Sequence, residues 1–435
     1  MSVGVTRDQP SSIDGPVFEL WNYCPYLPCG ERTNVDPGSR FCGQCGSVFN
    51  ICPVCRSTNR LLAGFCRACG KRLENEVWPM YPGLRAFGPS PGLIRSLGEV
   101  QPPYPLNLDA EVLIAPIACD GLVIITLNDG RIVFLSETTG QIVGRLSLSE
   151  PVALTPAFHA GSLFVASGAE LKAFDLIEYF DQSIRQEASA LWKVQFDEAI
   201  TQPLVIDDQA IFVCVRQGEK AMIVAVSQAN GKFLWAEPFQ LDSYQITPVV
   251  MAAGYLIAIT LGGEVSLIDP TTGQLRHTLT LGGSLDPQVS PYAMEDRVLW
   301  ADTEGSVFEI VLGASEPYVN RVYAHGARIA SLTASTEFIA LGHTAGLTLL
   351  DPYGQLLWSN DSIESISQAP IIAGASVFAL DDAGNGLLFN VLRSNPTIRH
   401  KLLTGWIGTP PAITHSKITC VSGDGKVVSI DWSKD

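Results

Sequence analysis

Charge is scarce in this chain of 435 residues: Asp, Glu, Lys and Arg make up only 17% of it, against 46% hydrophobic residues. That shortage argues against surface helices and suits strands buried on both faces of stacked sheets. A secretory leader is also missing. The start, Met1-Ser-Val-Gly-Val-Thr-Arg-Asp8, has no basic stretch followed by an apolar run, so the expected location is cytoplasmic. Hydrolase signatures are absent as well, with no Gly-x-Ser-x-Gly, no His-Glu-x-x-His and no phosphate-binding glycine loop. The six histidines (His159, His277, His325, His343, His400 and His415) are scattered, and each reads as a turn or surface residue rather than a ligand.

A membrane span is not expected either. Gln245 to Gly263 carries no charge, but Pro248, Gly254, Gly262 and Gly263 interrupt it. It reads better as two buried strands with a turn near Ala252-Ala253-Gly254.

What charge there is divides unevenly. The net charge is −16, of which residues 1–75 contribute +2 and the remainder −18. A large acidic domain repels phosphate backbones, so the expected partners are other proteins of an intracellular complex rather than nucleic acid.

Eight of the eleven cysteines fall within residues 24–69, as Cys24-x4-Cys29, Cys42-x2-Cys45, Cys52-x2-Cys55 and Cys66-x2-Cys69. Four close pairs supply ligands for two tetrahedral Zn²⁺ ions. Phe41-Cys-Gly-Gln-Cys-Gly46 and Phe65-Cys-Arg-Ala-Cys-Gly70 are copies of one pattern, each preceded by its own first pair. The sites are therefore expected in sequence: Cys24, Cys29, Cys42 and Cys45 for the first zinc, Cys52, Cys55, Cys66 and Cys69 for the second. A cross-braced pairing is the alternative, and disulfides are the rival chemistry, which would need an oxidising compartment. Four protein ligands leave no open position for water, so both ions are expected to be structural. The segment resembles the double zinc ribbon family over about 50 residues, with Cys24-x4-Cys29 wider than that family's usual gap. Cys119, Cys214 and Cys420 sit singly in apolar runs and read as buried small hydrophobes.

Residues 79–105 hold seven prolines and read as an extended spacer, in which the proline-free window Gly92 to Val100 could be a strand. From about residue 110 a pattern recurs every 38–47 residues. Each unit opens at Pro116, Pro156, Pro203, Pro248, Pro291, Leu332, Pro370 or Pro411, continues with an apolar strand such as Leu122-Val-Ile-Ile-Thr-Leu127, and turns at glycine into a third strand. A fourth strand follows, as in Lys232-Phe-Leu-Trp235 and Gln355-Leu-Leu-Trp358. The repeats weaken at an insertion, Ile177-Glu-Tyr-Phe-Asp-Gln182, and across 303–325, which reads as lacking the glycine turn.

Four antiparallel strands repeated radially make a β-propeller. Asp269-Pro-Thr-Thr-Gly-Gln274 and Ala229-Asn-Gly-Lys-Phe-Leu-Trp235 resemble the quinoprotein, or PQQ-type, propeller repeat. The expected fold is all-β, an eight-bladed propeller preceded by two small zinc ribbons, with seven blades as the alternative count. The expected divisions are a tail over 1–20, a double zinc ribbon over 21–75, a linker over 76–109 with a propeller-closing strand at 92–100, and the propeller over 110–435. The closing strand is needed because the eighth unit ends after three strands, which would expose a sheet edge.

Quinoprotein dehydrogenases, as the resemblance implies, need a quinone over a tryptophan floor, a Ca²⁺ site, a catalytic aspartate and usually two adjacent cysteines. No Cys-Cys dipeptide occurs here, and Trp235 and Trp358 read as blade-packing residues. The expectation is a non-catalytic interaction scaffold or adaptor. One alternative is a nucleic-acid-associated factor using the basic cluster Arg56, Arg60, Arg67, Lys71 and Arg72; another is an enzyme or ligand-binding protein using the propeller funnel.

Overall fold

The computed structural model describes residues 104–433, with breaks at 120, 138, 182–188, 283–284, 288, 315, 405–407 and 415–416, together with 49–52, 55, 57–60, 66–69, 71 and 96–97. Eight antiparallel sheets follow one another along the chain from residue 117 onward. Blade 1 shows the pattern: Ile117–Cys119, Leu122–Thr126, Arg131–Ser136 and Ile142–Ser147 pair in sequence order. Blades 2 to 7 repeat it over 157–195, 205–241, 250–280, 292–324, 329–360 and 371–401. The first strands of neighbouring blades lie side by side around the axis, including Ala412–Ile413 of blade 8 against Ile117–Cys119 of blade 1. The count is eight.

The low charge of the sequence has its explanation here. Side chains alternate across a strand, and in a propeller both faces of each blade meet another blade. Leu122 and Ile124 enter a cluster shared with Phe158 and Leu163 of blade 2. Val123 and Ile125 on the same strand enter a cluster shared with Val421 and Val427 of blade 8. Each junction between neighbouring blades has such a core, so no blade is stable alone.

The apolar 245–263 stretch forms two strands, Val250–Ala252 and Tyr255–Ile259, paired antiparallel. Ala253 (φ 48°) and Gly254 (φ 79°) make the turn. Positive φ at both central residues is the type I′ geometry that matches the twist of a two-residue hairpin. Among the described residues no helix is long and apolar enough to cross a membrane.

Two expectations on the weaker repeats change. In blade 5, Gly305 (φ 83°) makes a glycine turn between Arg297–Ala301 and Ser306–Val311, where the sequence had suggested none. A Cβ there would meet the Ala327 carbonyl oxygen, so close approach of the chain entering blade 6 also requires glycine. The insertion between the third and fourth strands of blade 2 starts as a six-residue helix, Leu176–Asp181, docked on blade 1. Its Tyr179 ring lies 5.7 Å from Phe134, and its hydroxyl donates to the Arg145 carbonyl at 2.7 Å.

Blade 8 contributes three strands from the C-terminal part, ending in Lys426–Ser433. Its outer edge is covered by two short pieces from before blade 1. Ser96 and Leu97 pair with Ser433 and Trp432; Leu106 and Asn107 pair with Val427 and Lys426. Leu97 is buried in a cluster with Ile430, Trp432 and Leu402. The ring is thus closed by strands from both ends of the propeller sequence.

Candidate metal centre

Phe49–Ile51 and Thr58–Arg60 form an antiparallel hairpin with Ile51 opposite Thr58. Cys52 and Cys55 occupy its tip, where the Cys52 N–H donates to the Ser57 carbonyl at 3.0 Å. A second turn carries Cys66 and Cys69, with the Cys66 N–H donating to the Lys71 carbonyl at 2.7 Å. Each Cys-x2-Cys turn aims both sulfurs to one side, and the two turns face each other. The four Sγ atoms all lie within 4.8 Å of one another. Cys52 and Cys69 are 3.7 Å apart at sulfur, Cys55 and Cys66 3.5 Å.

Those separations discriminate between chemistries. A disulfide needs about 2.05 Å between sulfurs. A tetrahedron with metal–sulfur bonds of about 2.3 Å has sulfur–sulfur edges of about 3.8 Å. The observed edges fit a four-coordinate ion and not a bridge. Ionisation behaves accordingly. Burial opposes ionisation of Cys55, but hydrogen bonds with Ser57 and the neighbouring thiols outweigh it and bring its thiol down to about 6. Cys69 goes up to about 12: the Lys71 backbone favours its thiolate, but burial and the other three sulfurs resist a second negative charge. Four thiolates at this spacing call for a cation, and the set could hold a metal ion.

Arg67 fixes the two turns together. Its Nε donates to the Thr58 carbonyl at 2.7 Å and its Nη2 to Thr58 Oγ1 at 2.8 Å, while its backbone N–H donates to Asn59 Oδ1 at 2.8 Å. Sequence had grouped Arg67 with a basic cluster able to meet phosphate. Its guanidinium instead faces the hairpin, and its position between the two cysteines of a turn is the signal that was available. Lys71 is exposed; Arg56, Arg72 and the side chain of Arg60 lie outside the described residues. Cys24, Cys29, Cys42 and Cys45 also lie outside them.

In the propeller, Cys119, Cys214 and Cys420 are buried, and burial pushes the Cys214 and Cys420 thiols up to about 12. All three pack in the cores between blades, and the Cys214 and Cys420 thiols are protonated. Trp235 and Trp358 pack between blades: Trp235 Nε1 donates to the Pro270 carbonyl of blade 4 at 2.9 Å, and Trp358 Nε1 to the Val391 carbonyl of blade 7 at 2.8 Å.

His343 corrects the reading of the histidines as turn or surface residues. It ends the second strand of blade 6 and is fully buried, because inter-blade packing covers both faces of that strand. Its ring stands 4.2 Å from His325 between centroids. Nε2 lies 3.1 Å from Thr348 Oγ1, which meets Ser359 Oγ at 2.8 Å, which donates to Asp361 at 2.7 Å. Burial, with His325 adding to it and Asp361 opposing, brings His343 down to about 4, so it is neutral near pH 7. Sequence gave no sign of this chain, since its members come from three strands of the blade and the residue after it. Among the described residues, only the four cysteines bring three or more metal-ligating groups together.

The repeat family described as outer membrane protein assembly factor BamB matches residues 128–288. No curated protein matches the chain. Among solved structures, BamB from Moraxella catarrhalis is 16% identical, with a TM-score of 0.59, over 77% of this chain and 100% of that one. A computationally designed protein, Ika8, is 14% identical, with a TM-score of 0.61, over 75% and 98%. Quinohemoprotein alcohol dehydrogenase from Comamonas testosteroni is 12% identical, with a TM-score of 0.56, over 75% of each. At such identities the likeness is one of fold: a PQQ-repeat, eight-bladed β-propeller.

Proposed function

We propose that this protein is a non-catalytic scaffold in a larger intracellular protein assembly, with the propeller as a rigid binding ring and the cysteine segment as a zinc-ribbon docking module. The carrying observation is the four-sulfur cluster. Its ligands all come from the protein, its edges suit a zinc tetrahedron, and it leaves no position at which a metal could activate water. Two structural zinc ions per chain belong to this reading, the second on Cys24, Cys29, Cys42 and Cys45. A cytoplasmic location goes with it, since thiolate ligation needs reduced cysteines.

The family match over 128–288 supports the same reading, because its description is of an assembly factor. A nucleic-acid role has less support: Arg67 is turned inward, and the region beyond residue 75 carries −18. The test is purification of the tagged full chain from its native source under mild lysis. Stoichiometric co-purifying proteins are expected, and a partner-free monomer overturns the reading.

A further inference from the structure

The outer strand of blade 3 is broken, and the break opens a groove. Lys220–Ser227 is covered on either side of Val224: Lys232 to Leu234 meets Ala225 to Ser227, with Phe233 bridging Val226, and Phe239–Leu241 pairs with Ala221–Ile223. Sequence had assigned the fourth strand to 232–235. The chain leaves the ladder after Leu234, whose N–H donates to the Ala225 carbonyl at 2.8 Å, because Trp235 turns over blade 4 and Pro238 has no N–H to contribute. Between this bulge and the end of blade 2 lies an open cavity of about 400 Å³. Phe196, Met222, Val224, Phe233 and Pro238 supply its apolar wall. Phe233 is 56% exposed although its ring meets Phe196 edge-on at 6.0 Å, and the adjacent Leu234 is 49% exposed. Large apolar side chains left open beside a cavity mark a contact surface more than a packing accident.

The polar part of the groove is acidic. Asp197 and Glu198 line it and are exposed, and Glu237 stands on the bulge. Of the neighbouring lysines, Lys193 pairs with Glu170 at 3.6 Å and Lys220 with Asp242 at 3.1 Å, while Lys232, next to Phe233, is exposed. Arg216, the one basic residue in the lining, lies 3.9 Å over the Tyr244 ring, donates to the Gly218 carbonyl at 2.8 Å and pairs with Glu219 at 3.7 Å.

We propose that this groove between blades 2 and 3 is a docking site for a basic segment of a partner protein, one aromatic or large aliphatic side chain filling the cavity and flanking Lys or Arg meeting Asp197 and Glu198. The volume suits one such side chain with its backbone, and the −18 carried beyond residue 75 steers a cationic segment toward the rim. This site rests on the scaffold reading and names the chemistry of one partner.

The test is fluorescence anisotropy of the full chain with a labelled synthetic pentapeptide, a central tryptophan between two lysines on each side. Saturable binding is expected, with the glutamate-flanked counterpart at least tenfold weaker. Phe233→Ala, and the pair Asp197→Asn with Glu198→Gln, should each weaken binding at least fivefold. Glu337→Gln, an exposed position in blade 6 across the ring, should change nothing. Absence of saturable binding overturns the proposal, as does binding that survives these groove variants or falls equally with Glu337→Gln. A wild-type dimer split by Phe233→Ala in light scattering also overturns it, by making the groove an interface between copies. If stoichiometric partners still co-purify in any of these cases, the groove falls and the scaffold reading stands.

Discussion

The indole of Trp235 in blade 3 lies over Gly273 in blade 4, so closely that a Cβ at 273 would sit 2.7 Å from the ring. Trp235 belongs to the core that blades 3 and 4 share, and its indole N–H is satisfied by the Pro270 carbonyl. Trp192 stands in the same relation to Gly231, with its N–H on the Gln228 carbonyl at 2.8 Å. Tyr104 takes the place at Gly140, where the ring closes.

Gly273→Ala is therefore expected to destabilise the protein by about 2–3 kcal/mol, combining the strain of a side chain at φ 74° with overpacking against the indole. Trp235→Phe, which loses the hydrogen bond, should cost about 1 kcal/mol or somewhat more. Urea unfolding followed by circular dichroism measures both, and a neutral Gly273→Ala would show that the contact is not close.

Closure of the ring yields a second expectation. Leu97→Ala removes a buried side chain from the junction of blades 7 and 8 and should cost about 2–4 kcal/mol. Deleting 92–100 should lower the melting temperature further, since it also exposes the edge of Lys426–Ser433. An unchanged melting temperature in the deletion would mean that 106–107 alone suffices.

Metal content tests the cysteine assignment. Native mass spectrometry should find two zinc ions per chain, falling to one in Cys52→Ser or Cys66→Ser. The sequential pairing requires that the remaining ion stay bound, whereas a cross-braced pairing would disturb both sites. Chelation should leave the propeller's melting transition in place, because its cores lie between blades.

His343 makes stability depend on pH. Its folded value, about 4, lies below the ordinary 6.5, so the unfolded chain takes up a proton that the folded one refuses. The contribution is complete above pH 6.5 and is lost as pH falls from there toward 4. Between pH 6.5 and 5, where carboxylates change little, the melting temperature of wild type should fall more steeply than that of His343→Gln. Parallel curves would show that the ring is not buried in neutral form.

The ring itself was readable because its cause is local. Continuous apolar strands such as Leu122–Thr126, glycine turns and, in seven of the eight units, an opening proline are all written within one repeat, and eight copies state the fold eight times. The paired Cys-x2-Cys turns were readable for the same reason. What only the tertiary structure decided lies between repeats. His343 is neutral because packing of blade 6 against its neighbours removes water from one strand end. Arg67 is an anchor because folding brings Thr58 under its guanidinium. The groove exists because Trp235 has a glycine on the next blade to cover, drawing its own strand out of the ladder. The sequence by itself determined the repeat and the ligand spacing, which depend on backbone geometry a few residues long. Burial, protonation and the open surface were settled by which blades meet, since desolvation depends on neighbours far away in the chain.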